Sequence, residues 1–135
     1  MKNKVVMLID DNKIDNFVTQ KILEKAGLGG NYIVASTAKE ALRILNSNKD
    51  DIENLPDFIF LDINMPAING FEFLSQYENF PLTLKNKCKI VVLSSSEKDE
   101  DMERMLKNKL VTQYIYKPLT EEAIIKMKES VTLKK

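Results

Sequence analysis

Four short apolar runs in this chain each end on polar residues that could do chemistry together. Val5-Val6-Met7-Leu8-Ile9 runs into Asp10-Asp11, Phe58-Ile59-Phe60-Leu61 into Asp62, Ile90-Val91-Val92-Leu93 into Ser94, and Tyr114-Ile115-Tyr116 into Lys117-Pro118. Carboxylates can hold a divalent cation or attack an electrophile, a hydroxyl can hydrogen-bond an anion, and an ammonium can neutralise one. Each residue also has a plainer use: Asp62 as a turn former before Pro66 and Gly70, Asp10-Asp11 as a solvated turn, Ser94 as a helix cap, Lys117 as an ion-pair partner. Chemistry is favoured because all of these groups stand at the carboxyl ends of buried runs.

Composition narrows what that chemistry can be. The chain has 135 residues, no His, one Cys, and 20 basic against 20 acidic residues. Without His there is no imidazole ligand, no His-based triad and no internal phosphohistidine. The balanced charge gives no reason to expect nucleic acid as a partner. Cys88 opens an apolar run, reads as a core thiol and suits a reducing compartment. No run is long enough for a membrane span and no signal-peptide pattern occurs, so a soluble cytoplasmic protein of one domain is expected.

The positioning elements follow from periodicity. Val5–Ile9 reads as a strand covered on both faces. Asn12 with Asp15 starts a helix on which Ile14, Phe17, Val18, Ile22 and Ala26 recur until Gly27 stops it. Tyr32–Ala35 gives a second strand, outside the site and ending on Ser36 and Thr37, and Thr37 caps a helix with Glu40 at the capping-box position. The polar stretch from Asn46 to Pro56 is expected to be a loop. After the strand Phe58–Leu61, residues Phe71, Leu74 and Tyr77 mark a helix that Pro81 ends at the latest. Ile90–Leu93 is the fourth strand, and Ser96 with Asp99 opens a helix whose thin apolar stripe is Met102, Met105 and Leu106. Tyr114–Tyr116 is the fifth strand, and Thr120 starts a last helix burying Ile124, Met127, the Lys128 stem and Val131.

Five strands alternating with five helices give an α/β fold, a flavodoxin-like doubly wound parallel sheet. In the common order 2-1-3-4-5 the winding switches between strands one and three, where ligands bind beyond the carboxyl ends. Asp10, Asp11 and Asp62 then come from neighbouring strands about 4.8 Å apart. Carboxylates so close destabilise one another unless a cation joins them, and hard oxygen donors select Mg2+, Mn2+ or Ca2+ over zinc. Mg2+ is preferred because few protein ligands are offered. An EF-hand loop does not fit: Asp10, Asn12 and Asp15 break its alternation, and Lys21 stands where its closing Glu belongs.

With these residues in view, the chain resembles the receiver domains of bacterial two-component response regulators over essentially its whole length. The resemblance rests on Asp10-Asp11, Asp62-x-Asn64-Met65-Pro66 with Gly70, Ser94, and Lys117-Pro118, in order and at strand ends. It implies a stand-alone, chemotaxis-regulator-like receiver with no output domain, a phosphoacceptor that catalyses only its own phosphorylation and dephosphorylation. Asp62 would take a phosphoryl group from a sensor histidine kinase or histidine phosphotransfer protein. Asp11, Asp62 and the Asn64 backbone carbonyl would bind Mg2+ (or Mn2+) directly, with Asp10 acting through the metal's water. Lys117 would neutralise the phosphoryl group, Ser94 and Tyr114 would be the switch residues, and Asn64 and Ser96 would tune hydrolysis. The output face would be the helix after Ser96, the fifth strand and the last helix, contacting a downstream target protein or a second copy in a phosphorylation-linked homodimer.

Some features depart from the family pattern. Ser95 replaces the usual small residue, no Gly precedes Tyr114, and the connections at Asn46 to Pro56 and Glu78 to Lys87 are long. Two other functions stay open on sequence: a haloacid-dehalogenase-like phosphatase, whose motif needs an Asp where Asn64 stands, and a phosphorylation-independent adaptor.

Overall fold

The computed structural model of the chain describes residues 4–63, 70–94, 99–117 and 119–133, and side chains outside 99–102 and 130–133. Pro66, Met65, Asn64, Ser95, Ser96 and Pro118, each given a part above, lie outside the described residues, as does the side chain of Val131.

Five parallel strands, β1 (Val5–Ile9), β2 (Asn31–Ala35), β3 (Phe58–Asp62), β4 (Lys89–Ser94) and β5 (Val111–Tyr116), lie in the order β2-β1-β3-β4-β5. The helices among the described residues are α1 (Lys13–Lys25), α2 (Ala38–Ser47), α3 (Gly70–Tyr77), α4 (Leu82–Lys87), α5 (Asp99–Lys107) and α6 (Glu121–Leu133), with a 3-10 turn at Ile52–Asn54.

Because side chains alternate along a strand, each central strand feeds two separate cores. Val6, Leu8, Phe58, Phe60, Val91 and Leu93 pack with Leu23 and Ala26 of α1 and Ile124 and Met127 of α6. On the other face, Met7, Ile9, Ile59, Leu61, Ile90 and Val92 pack with Ala41 and Leu45 of α2, Phe73 and Tyr77 of α3, and Met105 of α5. The central strands are therefore buried on both faces, and their position is tightly set.

The expected caps are present. Asn12 Oδ1 accepts from the Ile14 and Asp15 amides at 2.9 and 3.1 Å, and Thr37 Oγ1 from Glu40 at 3.0 Å. Thr120 Oγ1 accepts from Ala123 at 3.1 Å. Helix α1 closes in a Schellman turn, Leu28 N–H to Leu23 O at 2.9 Å and Gly27 N–H to Glu24 O at 3.2 Å, which Gly27 permits with φ +76°. The Lys128 ammonium of α6 donates to the Ala26 carbonyl at 3.1 Å and so covers the same helix end.

The fold differs from the sequence reading in four places. There are six α-helices among the described residues rather than five, because Pro81 does not merely end a helix: it stands at the N-cap of α4, where its missing N–H costs nothing. The stretch from Asn46 to Pro56 is only partly loop, since α2 runs to Ser47 and a 3-10 turn follows. Helix α1 buries Asn16, Thr19 and Leu23, while Ile14, Phe17 and Val18 are exposed. Strand β5 starts at Val111, and its register shifts against β4 between Ile90 and Val91, so Thr112 is an extra residue.

That bulge explains how β5 is built without a Gly before Tyr114. The Asn108 side chain accepts from the Leu110 amide at 2.9 Å and its carbonyl from the Val111 amide at 3.1 Å, making the turn. Val111 and Tyr114 then face the same core although three residues apart, and Ile115 faces the other.

Cys88 is a core thiol, as expected: burial pushes it up to about 11, so it stays neutral.

Candidate functional site

The site forms where β1, β3, β4 and β5 end together. Asp10 continues the sheet past β1, its N–H donating to Ala35 O at 3.2 Å. The buried Asn16 amide holds the Asp10 carbonyl at 2.9 Å, and the Asn12 N–H holds Asp10 Oδ1 at 2.9 Å. The carboxylate is thus turned so that Oδ2 faces across the sheet. Asp62, the last residue of β3, is 6% exposed and Asp10 5%, whereas Asp11 is exposed.

Each of Asp10, Asp11 and Asp62 offers one carboxylate oxygen within 4.8 Å of the others. Opposite ligands of a hexacoordinate Mg2+ are about 4 Å apart, so a small contraction closes this set around a hard divalent ion. The donor chemistry fits: oxygen only, with no His or thiolate nearby to select a softer metal. The cluster could bind a divalent metal ion.

Lys117 follows directly from β5, with its N–H donating to Ser94 O at 2.8 Å. Its ammonium lies 2.9 Å from Asp10 Oδ2, 3.2 Å from Asp15 Oδ2 and 3.7 Å from Asp62 Oδ2. Burial works against its charge, yet the hydrogen bond to Asp10 and the charges of Asp62 and Asp10, with the bond to Asp15, hold its pKa above the usual lysine value. A cation favoured in its charged form therefore stands beside the acidic cluster.

Ser94 is fully buried at the end of β4, one residue beyond Leu93, which pairs with Asp62 in the ladder. Tyr114 is half-buried on β5 and meets Tyr116 edge to face, ring centroids 5.4 Å apart. The structure thus brings Asp10, Asp11, Asp62 and Lys117 together, with Ser94 on the adjoining strand end. Asn64, named as a carbonyl ligand, lies outside the described residues.

Asp15 figures in the sequence reading only at the start of the first helix and in the rejected EF-hand spacing; its contact with Lys117 joins residues 102 apart and is a product of the fold. Asp15 and Lys117 also border a groove of about 300 Å³ walled by Val18, Thr19, Ile22, Leu93 and Leu119.

Comparison with known proteins agrees with this geometry. The family model for the response regulator receiver domain matches residues 6–129. Among curated relatives, the chain is 28% identical over 94% of its length to a probable methanogenesis regulatory protein, FilR2, from Methanothrix harundinacea, of which it covers 80%. It is 38% identical over 78% of its length to the chemotaxis protein CheV1 of Helicobacter pylori, of which it covers only 32%. Among solved structures, a two-component response regulator from Cytophaga hutchinsonii superposes with a TM-score of 0.88 at 30% identity, covering 98% of each chain. A family match over residues 6–129 and the shared fold admit one reading: the protein belongs to the response regulator receiver domain family, the phosphoacceptor signalling module of two-component systems.

Proposed function

We propose that Asp62 is the phosphoacceptor, and that residues 1–135 act as a single receiver unit in a two-component phosphorelay. The observation that carries this is the placement of the Lys117 ammonium among Asp10, Asp15 and Asp62, beside the three-carboxylate cluster. Asp62 is the acceptor because it alone of the cluster ends the central strand β3, next to Ser94 at the end of β4.

The donor is the phosphohistidine of a sensor histidine kinase or a histidine phosphotransfer protein. An Asp62 oxygen attacks phosphorus in line, the P–N bond breaks, and its electron pair stays on the imidazole, which takes up a proton. Asp11 and Asp62 would hold Mg2+ (or Mn2+), and Asp10, oriented by Asn12 and Asn16, would assist through the ion's water. When bound, the ion neutralises charge on the phosphoryl oxygens. Lys117 supplies a further positive charge, and Ser94 donates its hydroxyl to a phosphoryl oxygen. Tyr114, already packed toward the core, is the second switch residue beside Ser94, and the face of α5, β5 and α6 carries the change to a target protein or a second copy. The haloacid-dehalogenase-like and adaptor readings have no observation in their favour. No described helix is long and apolar enough to cross a membrane.

Incubation with acetyl phosphate and MgCl2, read by intact mass, tests the assignment. Wild type is expected to gain one acid-labile phosphoryl group and Asp62→Ala none. An unmodified wild type, or an equally modified Asp62→Ala, would overturn it.

A further inference from the structure

Lys117 has a partner that the phosphoacceptor chemistry does not call for. Asp15 lies on the first turn of α1, and its Oδ2 sits 3.2 Å from the Lys117 ammonium, nearer than the 3.7 Å to Asp62. This placement is fixed from two sides. The Asn12 side chain holds the Asp15 amide at 3.1 Å, and the same Asn12 holds Asp10 Oδ1 through its own amide. One capping residue therefore aims both carboxylates that take the ammonium's shortest contacts.

The three protons of an ammonium can be shared among three carboxylates, but two go to Asp10 and Asp15 within hydrogen-bond distance. Asp62 is left at a separation beyond a normal hydrogen bond. Asp10 is buried and already bound, whereas the Asp15 side chain is 43% exposed and can be resolvated if it lets go. Asp15 and Lys117 both border the groove beside the site, so the Asp15 charge stands at the exposed flank of the ammonium.

We propose that Asp15 is a positioning residue that draws Lys117 away from Asp62 and restrains phosphorylation by small anionic donors. This rests on the phosphoacceptor reading of Asp62. Transfer to Asp62 brings phosphoryl oxygens that compete with Asp15 for the ammonium, so Lys117 exchanges its Asp15 contact for one to phosphorus-bound oxygen. Asp10 keeps the lysine in the site throughout. The effect is a brake: a donor must displace one ion pair and approach one additional negative charge.

The test is the rate of phosphorylation by acetyl phosphate at fixed MgCl2, followed by intact mass for wild type, Asp15→Asn and Asp15→Glu. Asp15→Asn keeps size and polarity but loses the charge, and its rate is expected to rise roughly threefold to fivefold, the scale of a half-exposed ion pair. Asp15→Glu restores the charge on a longer arm and is expected to return the rate to near that of wild type. A thermal unfolding curve confirms that each variant is folded. Asp15→Asn reacting no faster than wild type, or Asp15→Glu as fast as Asp15→Asn, would overturn the proposal while leaving Asp62 as acceptor. A wild type that takes no phosphoryl group would overturn both.

Discussion

Lys117 Nζ is held 2.9 Å from Asp10 Oδ2, a contact between residues 107 apart in sequence that ties the end of β5 to the end of β1. Lys117→Met removes the charge while keeping most of the stem, and leaves Asp10 and Asp62 buried without their cation. Breaking such a pair from one side costs about 3 kcal/mol, to be read as a lower urea midpoint at pH 7. The pH dependence has a definite sign. Because the folded value of Lys117 is raised above 10.5, its stabilisation is fully present below that pH and is lost as pH rises through the higher folded value. The gap between wild type and Lys117→Met should therefore stay constant from pH 7 to 9 and narrow only beyond about pH 10.5.

Metal binding should register as stability. If Asp10, Asp11 and Asp62 share an ion in the folded state alone, MgCl2 at a hundred times its dissociation constant adds about 2.7 kcal/mol to unfolding. NaCl at equal ionic strength should add far less, and EDTA should reverse the gain. Asp11→Ala, at an exposed position, is expected to fold normally and lose the Mg2+ increment, a difference denaturation curves would show.

Asn16 is buried, and its amide holds the Asp10 carbonyl at 2.9 Å. Asn16→Ala leaves that carbonyl without this partner, at a cost of about 1–3 kcal/mol. It also frees the backbone that aims Asp10, so apparent Mg2+ affinity should fall with stability. Calorimetric titration with MgCl2 would detect the second effect separately.

Gly70 donates its N–H to the Ile63 carbonyl at 3.1 Å, closing the segment that begins after the β3 end. A Cβ there would meet Ile63 Cα at 2.6 Å, a backbone atom that cannot turn aside. Gly70→Ala should cost about 1–3 kcal/mol in thermal unfolding. Since the strain falls next to Asp62, phosphorylation by acetyl phosphate should slow as well.

Sequence made the site legible for a physical reason. Strands buried on both faces show as unbroken apolar runs, and their ends are marked by the first polar residue, which is where Asp10, Asp62 and Ser94 stand; the half-buried β5 ends likewise on Lys117. Caps at Asn12, Thr37 and Thr120 were equally readable, since each needs only a short side chain near the helix start. What sequence concealed depends on context. The apolar residues Ile14, Phe17 and Val18 lie on the exposed side of α1 because Asn16 is drawn inward by the Asp10 carbonyl. Pro81 could stop one helix or start another, and only the packing of Leu84 into the core decides. Asp15 gives no local sign that a lysine from the far end of the chain will reach it.

The additional residue in β5 works as a phase setter. With Thr112 in place, Val111 and Tyr114 share one side of the sheet, and the chain arrives at position 117 in step with the acidic cluster. Removing or inserting a single residue between 111 and 116 would invert every later side chain and carry the ammonium out of reach, although no chemical group had been changed. Natural variation in length should thus be borne at the opposite rim, in the connections holding the 3-10 turn and α4, while the stretch leading to Lys117 admits exchange of residue type but not of residue number.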